Sequence, residues 1–244
     1  MQRRLDDLIQ ELFQKLVLMG RLSESMITLA LKTLIERNAR QTGEILRKEN
    51  EVNQLQIEVD ERALTLTALQ QPVGTDVRFL FMASRIASEL ERLADKAVSI
   101  EQKAQQLNQV PPLKPLVSIP IMAQIAQKMV RDSLEALITK NTDLAEAVLR
   151  EESKVDAFRD QVFRELLTYM MEDPGTITRA ISLILISRSL ERIGDHATNI
   201  AEEVIYMVKG RDVRHHYESK TRLSAQSPAA PKETGGIQPD RIES

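Results

Sequence analysis

Two short acidic stretches carry the clearest chemical possibility in this chain. Leu90-Glu91-Arg92-Leu93-Ala94-Asp95-Lys96-Ala97 returns 100 positions later as Leu190-Glu191-Arg192-Ile193-Gly194-Asp195-His196-Ala197. In each copy a glutamate and an aspartate stand four apart on an apolar-periodic stretch, so both carboxylates share one helix face. Like charges at that spacing cost a bare helix about 0.2 to 0.5 kcal/mol, which calls for a cation nearby. One candidate is a metal. An all-oxygen donor set on facing helices suits hard cations such as Mg2+, Mn2+ or Ca2+, and also iron. The other candidate is a basic side chain, because Arg92 and Asp95, like Arg192 and Asp195, stand three apart and could form ordinary surface ion pairs of about 0 to 1 kcal/mol. The Glu-x-x-His spacing of di-iron bundles is missing, since His196 lies five residues after Glu191. His196 therefore reads as a supporting or surface histidine rather than a ligand.

The repetition extends beyond the motif and defines the elements that position it. Leu46-Arg47-Lys48-Glu49-Asn50-Glu51-Val52-Asn53 matches Leu149-Arg150-Glu151-Glu152-Ser153-Lys154-Val155-Asp156, so Glu49 and Asn53 correspond to Glu152 and Asp156, again four apart. Apolar residues recur every seven positions at Ile45, Val52, Val59 and Leu66, and again at Val148, Val155, Val162 and Tyr169, the seam of a long packed helix. Proline and glycine punctuate both copies, Pro72 with Gly74 and Pro174 with Gly175. The spacing predicts six helices, over about 5–38, 42–70, 75–107, 121–139, 143–171 and 176–209. Gly20 is a candidate bend in the first, and Thr75 or Asp76 a candidate N-cap of the third. Met26, Met82, Met122 and Met129 read as core fillers.

The expected architecture is all-α: two tandem three-helix bundles related by internal duplication. The first bundle spans 1–110, a proline-rich linker 111–117, the second bundle 118–210, and 211–244 a disordered tail. Pro111, Pro112 and Pro115 remove backbone donors and end helical structure, while the last segment lacks periodic apolar residues.

Composition narrows the function classes. The 33 basic and 36 acidic residues are interspersed and give a net charge of -3, so no basic footprint for nucleic acid stands out. No run approaches the roughly 20 apolar residues that cross a bilayer, and no export signal is visible, so a cytoplasmic protein without membrane insertion is expected. Cysteine is absent, which excludes thiolate metal sites and cysteine nucleophiles. No Gly-x-x-x-x-Gly-Lys loop occurs, and no motif for phosphate binding or nucleophilic catalysis is readable. An enzyme is not expected and no cofactor is required; the carboxylate clusters are candidate sites for divalent or iron-type metal ions.

The paired Leu-Glu-Arg-x-x-Asp motifs, the run Gln71-Pro72-Val73-Gly74-Thr75-Asp76-Val77-Arg78 and the run from Ile193 to Glu202 together resemble the PhoU family of phosphate-uptake regulators. The resemblance covers about residues 1–210. It implies a nonenzymatic cytoplasmic regulator, commonly a homodimer, that restrains the phosphate ABC transporter through its ATPase subunit. It also implies that the phosphate-sensing histidine kinase is held silent when phosphate is plentiful. Several members carry iron, zinc or magnesium-like ions on these motifs. Carried over by matching residue, the metal candidates are Glu91 and Asp95 in the first half and Glu191, Asp195 and Asn199 in the second, with Glu49, Asn53, Glu152 and Asp156 on the neighbouring helices. Ser99 stands where Asn199 does and Asn53 where Asp156 does, so ligand count favours the second half. The alternatives are a metal-storage or metal-dependent enzymatic bundle, and a purely structural scaffold.

Overall fold

The computed structural model describes residues 2–214, with side chains from Leu5 onward. Six long helices account for nearly all of it: α1 (Gln2–Glu36), α2 (Thr42–Gln70), α3 (Thr75–Asn108), α4 (Ser118–Thr139), α5 (Thr142–Glu172) and α6 (Ile177–Lys209). Helices α1–α3 form the first half and α4–α6 the second, in the same order. The heptad stripes face inward as their period requires. Ile45, Val52, Val59 and Leu66 are buried on α2, and Val148, Val155 and Val162 on α5, while Tyr169 is half-buried beneath the Lys114 ammonium. All four candidate core methionines are buried.

Chain punctuation ends each helix by an identifiable device. Arg37 (φ 52°) turns left-handed and closes α1 two residues before the expected end at 38. Gln71 (φ 47°) does the same after α2. The candidate caps Thr75 and Asp76 instead lie within α3. Gly74, at φ 61° and ψ -117°, occupies the cap position without a side chain to offer, in a conformation that glycine alone adopts cheaply. Asp76 then sits in the first turn, where its charge complements the helix dipole. Helix α4 begins at Ser118, three residues earlier than its apolar period suggests. Pro120 is tolerated there because first-turn amides have no intrahelical acceptor. Asn141 caps α5 by accepting from the amides of Asp143 (3.0 Å) and Leu144 (3.1 Å).

Gly20 does not interrupt α1, which is one continuous helix. It marks a close approach: a Cβ there would lie 2.5 Å from Cδ2 of Leu134 on α4. The two halves also meet along α3 and α6, which pack against each other at the centre. Leu90, Leu93, Ala94 and Ala97 on α3, with Leu190, Ile193 and Ala197 on α6, are fully buried. The repeated motif therefore occupies the central helix pair, with its apolar residues turned inward and its carboxylates left at the rim.

Residues 109–117 run non-helically between the halves and are tied at both ends. Arg37 donates to the carbonyls of Leu107 (2.8 Å) and Val110, and Lys114 pairs with Glu165 on α5. The part of the expected disordered tail beyond 214 lies outside the described residues. Among the described residues no helix is long and apolar enough to cross a membrane.

Candidate functional site

The matched carboxylates of the two halves lie in different electrostatic settings. In the second half Arg159 of α5 reaches toward α6. Its Nη1 lies 3.0 Å from Asp156 Oδ1 and 2.9 Å from Glu191 Oε1, and its Nη2 lies 3.0 Å from Asp160 Oδ1. Asp195 pairs with Arg192 Nη1 at 3.2 Å. The carboxylates around Arg159, Asp160 foremost, hold its guanidinium above the ordinary arginine range, although burial works against this. Asp195 is pushed upward, first by burial and then by the charge of Glu191, with Arg192 opposing. Glu152, on the same helix as Asp156, is half-buried.

Among the described residues of the first half no arginine does this work. The chain offset that matches Asp156 to Asn53 sets Gln56 opposite Arg159. Arg92 pairs with Glu89 (3.2 Å) rather than with Asp95, the partner its spacing suggested. Among the described residues Glu49, Glu91 and Asp95 form no ion pair within 4 Å. Burial pushes the Glu49 and Glu91 carboxyls up, and the negative charge of Asp95 adds to both. The side-chain oxygen of Asn53 is buried without a hydrogen-bond donor.

These observations bear on whether the residues suit a metal. The first cluster is all oxygen, its charges repel one another, and a buried amide oxygen one turn from Glu49 lacks a partner; this chemistry fits a hard cation. Among the described residues no three aspartate, glutamate or histidine side chains converge closely enough to hold one in these rotamers. A cation would therefore draw Glu49, Glu91 and Asp95 together. In the second cluster the guanidinium already compensates Asp156 and Glu191.

Asn199, a candidate ligand beside Asp195, is committed across the halves: its Nδ2 donates to Glu89 Oε2 at 2.9 Å. His196 Nδ1 lies 2.8 Å from the same oxygen. Burial would raise the Glu89 carboxyl, but the hydrogen bonds from His196 and Asn199 and the nearby charges outweigh it, and the net shift is downward. Close by, Arg85 Nη2 meets the buried Glu203 at 2.6 Å. Sequence reasoning passed over Glu89, Arg85, Glu203 and Arg159. The repeat held a signal for two of them: where the first half has Glu89 the second has Ser189, and where the second has Arg159 the first has Gln56. Breaks in a repeat of otherwise matching residues mark positions whose partner differs.

The fold and the site define an internally duplicated all-helical protein with an acidic motif repeated at its central helix pair. The PhoU domain matches twice, over residues 16–104 and 119–204. A phosphate-specific transport system accessory protein PhoU homolog of Pseudomonas putida is 37% identical over 208 residues, covering 85% of this chain and 81% of the relative. A homolog of the same description from Thermotoga maritima is 34% identical over 218 residues, covering 89% and 93%. The crystal structure of PhoU from Pseudomonas aeruginosa superposes with a TM-score of 0.82 at 34% identity, covering 84% of this chain and 99% of that one. The chain belongs to the PhoU family.

Proposed function

We propose that this chain is an accessory regulator of phosphate transport that acts by protein contact, restraining uptake and the phosphate-starvation response. The observation that carries this reading is the double match of the PhoU domain, which spans both halves, together with relatives described as phosphate-specific transport accessory proteins. The proposed clients are the ATPase subunit of the phosphate ABC transporter and the phosphate-sensing histidine kinase, in the cytoplasm, with the regulator as a homodimer. Docking of its long helical faces would bias each client toward its inactive state. The bias is limited by the difference in affinity for the two states. No catalysis is part of this role.

A metal ion belongs to the same proposal. Glu49, Glu91 and Asp95, with the Asn53 oxygen, are the residues that would hold it, and its contribution would be to neutralise carboxylates that otherwise repel. Ligand count alone ranks the second half first. Arg159 supports the reverse order, because a tethered guanidinium already balances Glu191 and Asp156.

Deleting the gene and reading a phosphate-responsive promoter in cells grown with excess phosphate tests the regulatory reading. The promoter is expected to fire despite plenty, and to fall silent when the chain is restored. A promoter that stays silent in the deletion would contradict this role. Turnover or redox activity that disappears with Glu91→Gln would favour the metal-dependent enzyme instead.

A further inference from the structure

The α3/α6 seam has two edges, related by the internal repeat, and they differ sharply in charge. Along one edge lie Arg85, Glu89, Arg92, His196, Glu202 and Glu203, where Glu89 meets His196, Asn199 and Arg92, and Glu203 meets Arg85. The matching positions on the other edge are Leu185, Ser189, Arg192, Lys96, Gln102 and Lys103. Each glutamate has become serine, glutamine or lysine. Arg188 joins them, where the first edge has Ser88.

The result is a surface groove of about 320 Å³ lined by Lys96, Ser99, Gln102, Lys103, Leu185, Arg188, Ser189 and Arg192. It contains four cations and no carboxylate. Among the described residues Lys96 and Arg188 make no hydrogen bond or ion pair. Lys103 reaches only the amide oxygen of Gln106, at 3.3 Å. Arg192 is shared with Asp195 and Glu191 at the rim.

We propose that this groove binds a small, multiply charged oxyanion of the phosphate or phosphoanhydride class. Four cations on two rigid helices repel one another unless an anion of matching charge sits among them. A single carboxylate carries one negative charge, whereas near neutral pH phosphate carries between one and two and pyrophosphate more. The forked donors of Arg188 and Arg192 match a tetrahedral oxyanion, and the lysines supply mobile point charges. The groove admits a phosphoryl group or a short chain of them, and among the described residues carboxylates hold just one of its four cations, Arg192, through Asp195 and Glu191 at the rim. This site goes beyond the regulatory reading and does not depend on which protein the chain restrains.

Calorimetric titration of the full chain at low salt with inorganic phosphate, pyrophosphate and ATP, each without metal, tests the proposal. At least one is expected to bind saturably, and the tightest identifies whether free phosphate, a phosphoanhydride or a nucleotide is the source. Lys96→Gln combined with Arg188→Gln should weaken that binding about tenfold or more. Among the described residues both side chains lack hydrogen bonds and ion pairs, and removing two of four like charges should leave the unfolding midpoint of this variant at or above that of wild type. Arg92→Gln, on the opposite edge, should leave affinity unchanged. Absence of saturable binding by all three anions, or binding equal in wild type and the double variant, would overturn the proposal.

Discussion

The two halves carry the same acidic motif and solve its charge problem differently. In the second half Arg159 crosses from α5 to sit against Asp156 and Glu191, and Arg192 turns to Asp195. In the first half Gln56 replaces that arginine, Arg92 turns away to Glu89, and the Glu49 and Glu91 carboxyls are pushed up by burial and then by the charge of Asp95. Conserving the motif within the chain has therefore not conserved its electrostatics. One position outside the motif, Arg159 in the second half and Gln56 in the first, sets whether the chain itself supplies a compensating charge.

The largest effect is expected where the halves are joined. Glu89→Ala removes a carboxylate that serves His196 and Asn199 together. Loss of such a charge-assisted network should cost about 1.5 to 3 kcal/mol in urea unfolding. The pH dependence has a definite sign. Because the folded-state carboxyl lies below its ordinary 4.5, the contribution is present above that value and is lost as pH falls through the lower folded value. The wild type should thus lose its advantage over Glu89→Ala in strong acid.

Making the second half resemble the first comes next. Arg159→Gln should leave Asp156 and Glu191 uncompensated and cost about 1 kcal/mol in the same assay. Added Mn2+ should then raise the unfolding midpoint of this variant more than that of wild type. The converse, Gln56→Arg, offers the first cluster a tethered cation. It should stabilise by about 0.5 kcal/mol and diminish any stabilisation by Mn2+.

The smallest effect is expected from Glu91→Gln. It removes one member of a like-charged pair and should stabilise the metal-free protein by about 0.2 to 0.5 kcal/mol at neutral pH. Glu91 holds its proton more firmly when folded, so its ionisation destabilises as pH rises above 4.5 and through the raised folded value. Below that range Glu91→Gln and wild type should unfold alike.

What the sequence made legible was local. A seven-residue apolar period and proline and glycine at matching places suffice to place six helices, since each signal lies within one helix or one turn. Helix ends were harder: Thr75 and Asp76 have the chemistry of caps, yet backbone geometry at Gly74 set the start of α3. The acidic pairs were legible as pairs, because residues four apart share a helix face. Their partners were not. Glu89 finds His196 107 positions away and Arg85 finds Glu203 across the same seam, and no periodicity within one helix specifies how α3 lies against α6. Arg159 was hidden for a related reason, its importance depending on which α6 carboxylate faces α5.

The most direct test of the difference between the halves is a Mn2+ titration of the metal-free chain, followed by electron paramagnetic resonance. Wild type, Glu91→Gln with Asp95→Asn, and Glu191→Gln with Asp195→Asn would be compared. Binding in wild type that is lost with the first pair and kept with the second is the predicted result. Binding that survives loss of Glu91 and Asp95 but vanishes with Glu191 and Asp195 would contradict it, and would mean that Arg159 yields its carboxylates to the metal.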